Sequence, residues 1–237
     1  MRLIMGIHLT DDQVVVVTGT AASVAGSHPG PPHLSSHPAR LYWPATAAPR
    51  WSRPADNPDD VYGHFLTRIA DLTAVRTASG RGRAPHQLVT AALHVAIDGT
   101  ERSDHGHVVS VTIAHPPHWS AEQIGMLRRA AGRAVGATTS VSVVSECAAI
   151  SRCVRWSAQM GTADLVADHP SFLGAWGAAM LAATAVTRVP VPTDRTARRP
   201  VRTAPAHHMA TITHPMRRIV DSSVADLRLR WNALGHA

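Results

Sequence analysis

Lysine is absent from this 237-residue chain, so every one of its 23 basic residues is arginine. That excludes Schiff-base and other lysine chemistry. Cysteine is nearly absent as well. Cys147 and Cys153 are the only two, and nothing about them builds a disulfide framework or a metal-ligand pair. Reduced thiols and a cytoplasmic location are the expectation. Long apolar runs are also missing. Leu3 to Leu9 is too short for the core of a signal peptide and is stopped by Asp11 and Asp12. Ser171 to Thr187 carries no charge, but it is shorter than the roughly 20 residues a bilayer span needs and is rich in Ala, Gly and Thr in place of Leu and Ile. It reads as a buried core helix, and membrane association is not favoured.

What the chain does have is length for a sizeable core, as one large domain or a domain plus a tail. Its net charge is +7, and the basic excess falls late, at Arg195, Arg198, Arg199, Arg202, Arg217, Arg218, Arg228 and Arg230. A basic balance can favour nucleic acid or anionic membranes. Here no recognised nucleic-acid module accompanies the arginines, so they read as a solvated linker and nucleic acid is not an expected partner.

Two β-rich runs, Arg2 to Leu9 and Gln13 to Thr18, are joined by Thr10, Asp11 and Asp12 and predict a hairpin. The Pro-, Gly- and Ser-rich stretch from Gly26 to Pro58 predicts a long loop, with a short strand near Leu41 to Trp43. Val61, Phe65, Ile69 and Leu72 stand at helical spacing, which predicts a helix over Asp59 to Val75; a shorter helix followed by an extended piece is the alternative. A second helix is expected over His86 to Ile97. Val109, Val111 and Ile113 predict a strand covered on both faces. Ser120 and Gln123 form a capping box that opens a helix with Ile124, Leu127, Ala131 and Val135 on its buried stripe and Gly136 at its end. Val141 to Val144 make the next strand. Strand, helix and parallel strand in this order predict an α/β fold. Residues 1–189 are the expected domain. Residues 190–237 read as a Pro- and Arg-rich linker with a short helix.

Sixteen histidines invite a zinc hypothesis. His105 and His107 precede the strand, however, while His115 and His118 follow it. At about 3.3 Å per residue the pairs lie about 20 Å apart, too far to share an ion whose ligands sit at about 2 Å. Surface histidines are the preferred reading, and His207, His208 and His214 fall in the linker. Cys147 reads as a small buried residue at a helix start. Glu146 reads as a capping or solvated carboxylate, and His8 as a structural residue at a strand end.

Some of these residues carry a resemblance. Gly6-Ile7-His8-Leu9-Thr10-Asp11-Asp12 is similar in frame to the phosphate-binding turn Gly-Ile-Asp-Leu-Gly-Thr-Thr of the actin-like ATPase domain found in the 70-kDa heat-shock chaperones. Ala114 to Trp119 resembles that family's strand-to-helix turn, and Ala130 to Gly136 its Ala- and Gly-rich helix end. Ser145-Glu146-Cys147-Ala148-Ala149 resembles its Glu-Pro-Thr-Ala-Ala signature. Asp168-His169-Pro170 with Leu173 to Ala179 resembles its late Asp-Pro and Gly-Ala-Ala pattern.

The resemblance implies a ribonuclease-H-like lobe with a mixed sheet flanked by helices. It implies a degenerate nucleotide site at Gly6, Thr10 and Gly177, with Glu146 as the one family-matching catalytic candidate. The departures are chemical. His8 stands where the family has an aspartate that acts through the metal, Thr10 replaces a glycine, and Asp11 and Asp12 place anions where phosphate would sit. Only 18 residues, Ile150 to Ala167, separate two signatures that the second lobe separates in relatives. The implied protein is a single lobe without enzymatic activity and without a cofactor, whose apolar lobe-facing surface needs a protein partner or a second copy. Relatives of this kind occur in actinobacteria, some with type VII secretion. A chaperone-like ATPase that holds ATP and magnesium through oligomerisation is one alternative; an adaptor with a basic tail for membrane or nucleic acid is the other.

Overall fold

Residues 1–25, 32–160 and 170–188 are described by the structure, a computed structural model. β1 (Arg2–Leu9) and β2 (Gln13–Gly19) form the expected hairpin, with Leu9 opposite Val14. Almost every residue of β1 is buried because the strand faces two cores. Leu3, Met5, Ile7 and Leu9 point into one, while Ile4 points into the other. A strand covered on both faces reads as a continuous apolar run, as here.

Around this hairpin lies a five-stranded mixed sheet. After α1 (Ala21–Val24), β3 (His33–Pro38) pairs antiparallel with β2. On the other side β9 (His107–His115) pairs parallel with β1, and β10 (Ser140–Ser145) pairs parallel with β9. The spatial order is β10-β9-β1-β2-β3. Counting only the strands of this sheet in chain order, the sequence across it is five, four, one, two, three.

β3 falls within the segment expected to be a loop. Its sequence, His-Leu-Ser-Ser-His-Pro, is polar and only partly buried. It is an edge strand, which hydrophobic patterning does not reveal and which its polar side chains and terminal proline protect from further pairing. β4 (Arg40–Tyr42) matches the short strand expected nearby. With β5 (Arg50–Trp51) and β6 (Val61–Gly63) it forms a small sheet of order β5-β4-β6.

The helix expected over Asp59 to Val75 does not form. Pro58–Asp60 make one 3-10 turn capped by the Asn57 side chain, and β6 follows at once. His64 then adopts a left-handed φ of 52°, which no helix tolerates in its interior. Phe65 and Ile69 are buried by a looping chain, whereas Leu72 is fully exposed. The helical spacing is coincidental: the chain pairs with β4 instead, and Tyr62 is buried there. β7 (Val75–Arg76) and β8 (Gly82–Arg83) close a small hairpin before α2 (Pro85–Ser103).

Helices cover both faces of the main sheet. α2 and α3 (Ala121–Ala134) bury Leu88, Leu93 and Leu127 against one core. The capping box at the start of α3 is present as expected, Ser120 accepting from the Gln123 amide and Gln123 accepting from the Ser120 amide. α4 (Glu146–Met160) and α5 (Pro170–Arg188) cover the other face. α5 supplies the core helix expected between Ser171 and Thr187, with Ala175, Ala178, Ala179 and Ala182 fully buried. Among the described residues no helix is long and apolar enough to cross a membrane. The linker and short helix expected after Val189 lie outside the described residues.

Candidate functional site

Because β1, β9 and β10 run parallel, their carboxyl ends share one edge of the sheet. Ligands of open α/β sheets bind outside such an edge. It gathers the turn Thr10 to Asp12, the β9–α3 connection from His115 to Trp119, and the start of α4 at Glu146.

The turn is held by its own side chains. Thr10 Oγ1 donates to Asp12 Oδ1 at 3.0 Å and accepts from the Gln13 amide at 3.0 Å. The Asp12 carbonyl accepts from the Ala39 amide, tying the turn to the end of β3. Asp11 and Asp12 are exposed, and Asp11 Oδ1 lies 3.8 Å from His118 Nε2. His115 is buried and bonds the Pro116 carbonyl through Nδ1 at 2.8 Å. His107, at the opposite end of β9, contacts Glu101 at 2.8 Å. His107, His115 and His118 thus have separate partners, and among the described residues no group of three or more His, Cys, Asp or Glu is placed to hold a metal ion.

Among the described residues, the closest acid–base contact at this edge joins two residues that sequence reasoning treats singly. His8 Nε2 lies 3.4 Å from Glu146 Oε1. His8 pairs with Ala114 of β9, which pairs with Val144 of β10. The two outer strands are therefore roughly 10 Å apart, given about 4.8 Å per strand spacing. Ala114 between them is small enough for the imidazole and carboxylate to meet over it. Glu146 also stands in the first turn of α4, where a negative charge faces the positive end of the helix. His8 is 1% exposed and Glu146 23%, so solvent reaches the pair through the carboxylate.

α5 roofs His8. A Cβ on Gly174 would lie 2.8 Å from the His8 ring, and one on Gly6 would run into the backbone of Ala175 and Ala179. Gly177 packs in the same way against the Ala149 carbonyl of α4. Of the four residues the resemblance brought forward, Glu146 and Thr10 stand at the carboxyl edge. Gly6 and Gly177 are engaged in helix packing, with their open sides filled by protein. The sequence signal for this was present in the small residues Gly174, Ala175, Gly177, Ala178 and Ala179, which let α5 lie close to β1.

Cys147 departs from expectation, being exposed while Cys153 is buried. α4 turns Ala149, Cys153 and Ser157 inward at a spacing of four residues, and Cys147 falls well outside that stripe. Among the described residues the exposed large hydrophobics are Met1, Leu72 and Val154, and the edge shows solvent Asp11, Asp12 and His118.

No protein-family model matches the chain, and no curated protein matches it.

Proposed function

We propose that the chain is a degenerate actin-like, ribonuclease-H-like lobe that works without enzymatic activity as a protein-binding or scaffold module. The sheet order supports the ancestry, since an antiparallel three-strand meander continued by parallel strands is how such a lobe is built. The observation that carries the loss of activity is the His8–Glu146 contact beneath α5. Where the resembling family has an aspartate acting through its metal, this chain has a buried imidazole against the carboxylate that would orient metal-bound water. Beside it, Gly6 offers no room for phosphate, and Asp11 and Asp12 repel an anion from the turn. These residues do not fit a magnesium nucleotide.

The partner is a protein or a second copy of the chain, covering the face where the resembling family places its second lobe. Calorimetric titration of the full chain with ATP and magnesium should give no saturable heat, and phosphate release should stay at the buffer rate. Saturable micromolar binding would sink the proposal and favour an ATPase completed by oligomerisation.

A further inference from the structure

On the face of the molecule that carries α2 and α3, away from α4 and α5, a cavity of about 480 Å³ opens between α2, the end of α3 and the segment before β5. Trp43, Pro49, Ala91 and Ala134 make it apolar, while Arg83, His86 and Arg133 bring positive charge or donors to it. Among the described residues no aspartate or glutamate lines it. His94, also at the wall, is already engaged by Asp98 at 3.2 Å, so it adds little to this balance.

Arg83 is the informative member. Its guanidinium carbon lies 3.7 Å from the centre of the Trp43 ring and 6.0 Å from that of Tyr62, an aromatic seat that fixes the group and leaves its planar edge to bond. Its Nε is buried without a hydrogen-bond partner, and no carboxylate among the described residues pairs with it. Buried donors of this kind are almost always satisfied. Other arginines of the small-sheet region do find acids, Arg50 with Asp56 and Arg81 with Asp60. Trp43 is itself held, since its amide donates to the Asp60 carbonyl at 2.8 Å. The cavity also borders the first turn of α2, whose N-cap residue Ala84 supplies no side-chain hydrogen bond.

We propose that this cavity binds a small organic anion, a flat apolar body bearing one carboxylate or phosphate group. Arg83 pairs with the anionic group, Arg133 adds to the positive field, and Trp43, Pro49 and Ala91 enclose the apolar body. The cavity shares no residue with the carboxyl edge, so its test does not depend on the pseudo-ATPase reading.

Calorimetry of the full chain with phenyl phosphate and with benzoate tests this, with benzyl alcohol as the uncharged control. At least one anion should bind saturably in a one-to-one ratio, and benzyl alcohol should not; which anion binds more tightly identifies the preferred group. Arg83→Gln should weaken that binding by about tenfold or more, as loss of a charge-assisted pair does. Arg133→Gln, at an exposed position, should weaken it by about threefold through the field alone. Circular dichroism establishes that each variant is folded, and Arg133→Gln decides the matter if Arg83→Gln is not. Absence of saturable anion binding, equal binding of benzyl alcohol, or unchanged affinity in the folded variants would overturn the proposal.

Discussion

Cys147 and Cys153 share α4 but face opposite environments, and burial alone separates their chemistry. Desolvation pushes the Cys153 thiol up to about 12, so almost no thiolate exists at neutral pH. Native protein treated with iodoacetamide should be modified at Cys147 and spared at Cys153, with both modified after unfolding; mass spectrometry of the peptides reads the outcome. His37 shows the converse effect on a base. Burial, and secondarily the nearby His33, lowers its pKa. In the unfolded chain it takes a proton at about 6.5; in the folded chain it does so only at lower pH. Its contribution to stability is therefore complete above that value and is lost as pH falls through the depressed one. Urea midpoints should drop between about pH 7 and 5. His37→Phe, which keeps a ring stacked on Trp51 at 4.8 Å, should flatten that decline. None of these environments is visible in composition. By contrast the Ser120–Gln123 capping box was legible, because both partners lie within one turn of chain.

At the scale of elements, the fit of α5 to β1 and α4 rests on the absence of side chains. A methyl group on Gly177 would collide with the Ala149 carbonyl, which is backbone and cannot swing away. Gly177→Ala should destabilise the protein by about 1–3 kcal/mol or more, the range for overpacking. Gly132→Ala in α3 meets nothing within 4 Å and should stabilise by about 0.5–1 kcal/mol through helix propensity. Chemical denaturation of the two variants compares them directly, and equal effects would argue against close packing of α5. Elements with strong local patterns, β1, β2, α2, β9 and α3, were readable along the chain. β3 was not, because a polar edge strand carries no alternation. Nor was the replacement of a helix by a 3-10 turn and β6 after Asn57, because the strand there depends on β4, some twenty residues earlier.

At the scale of the molecule, the two larger hydrophobic cores among the described residues meet at β1, β2 and β9. Leu3, Met5 and Ile7 serve one and Ile4 the other, so neither core can lose its sheet without exposing the second. Unfolding of residues that contribute to either core should then be a single transition. Trp51 and Trp119 report on one core, and Trp156 and Trp176 on the other. Tryptophan fluorescence and far-ultraviolet dichroism should give coincident denaturation curves; separated curves would mean that α4 and α5 come away on their own.

Local chemistry was sufficient for the absence of lysine chemistry, the hairpin of β1 and β2, the strand–helix–strand of β9, α3 and β10, and the buried character of α5, since each depends on residues near one another in sequence. The meeting of His8 with Glu146 over Ala114, the consumption of Gly6 and Gly177 by helix contacts, and the seating of Arg83 on Trp43 were decided only by tertiary structure. In each case the partners come from distant segments, and their chemistry depends on distance and burial that no spacing along the chain records.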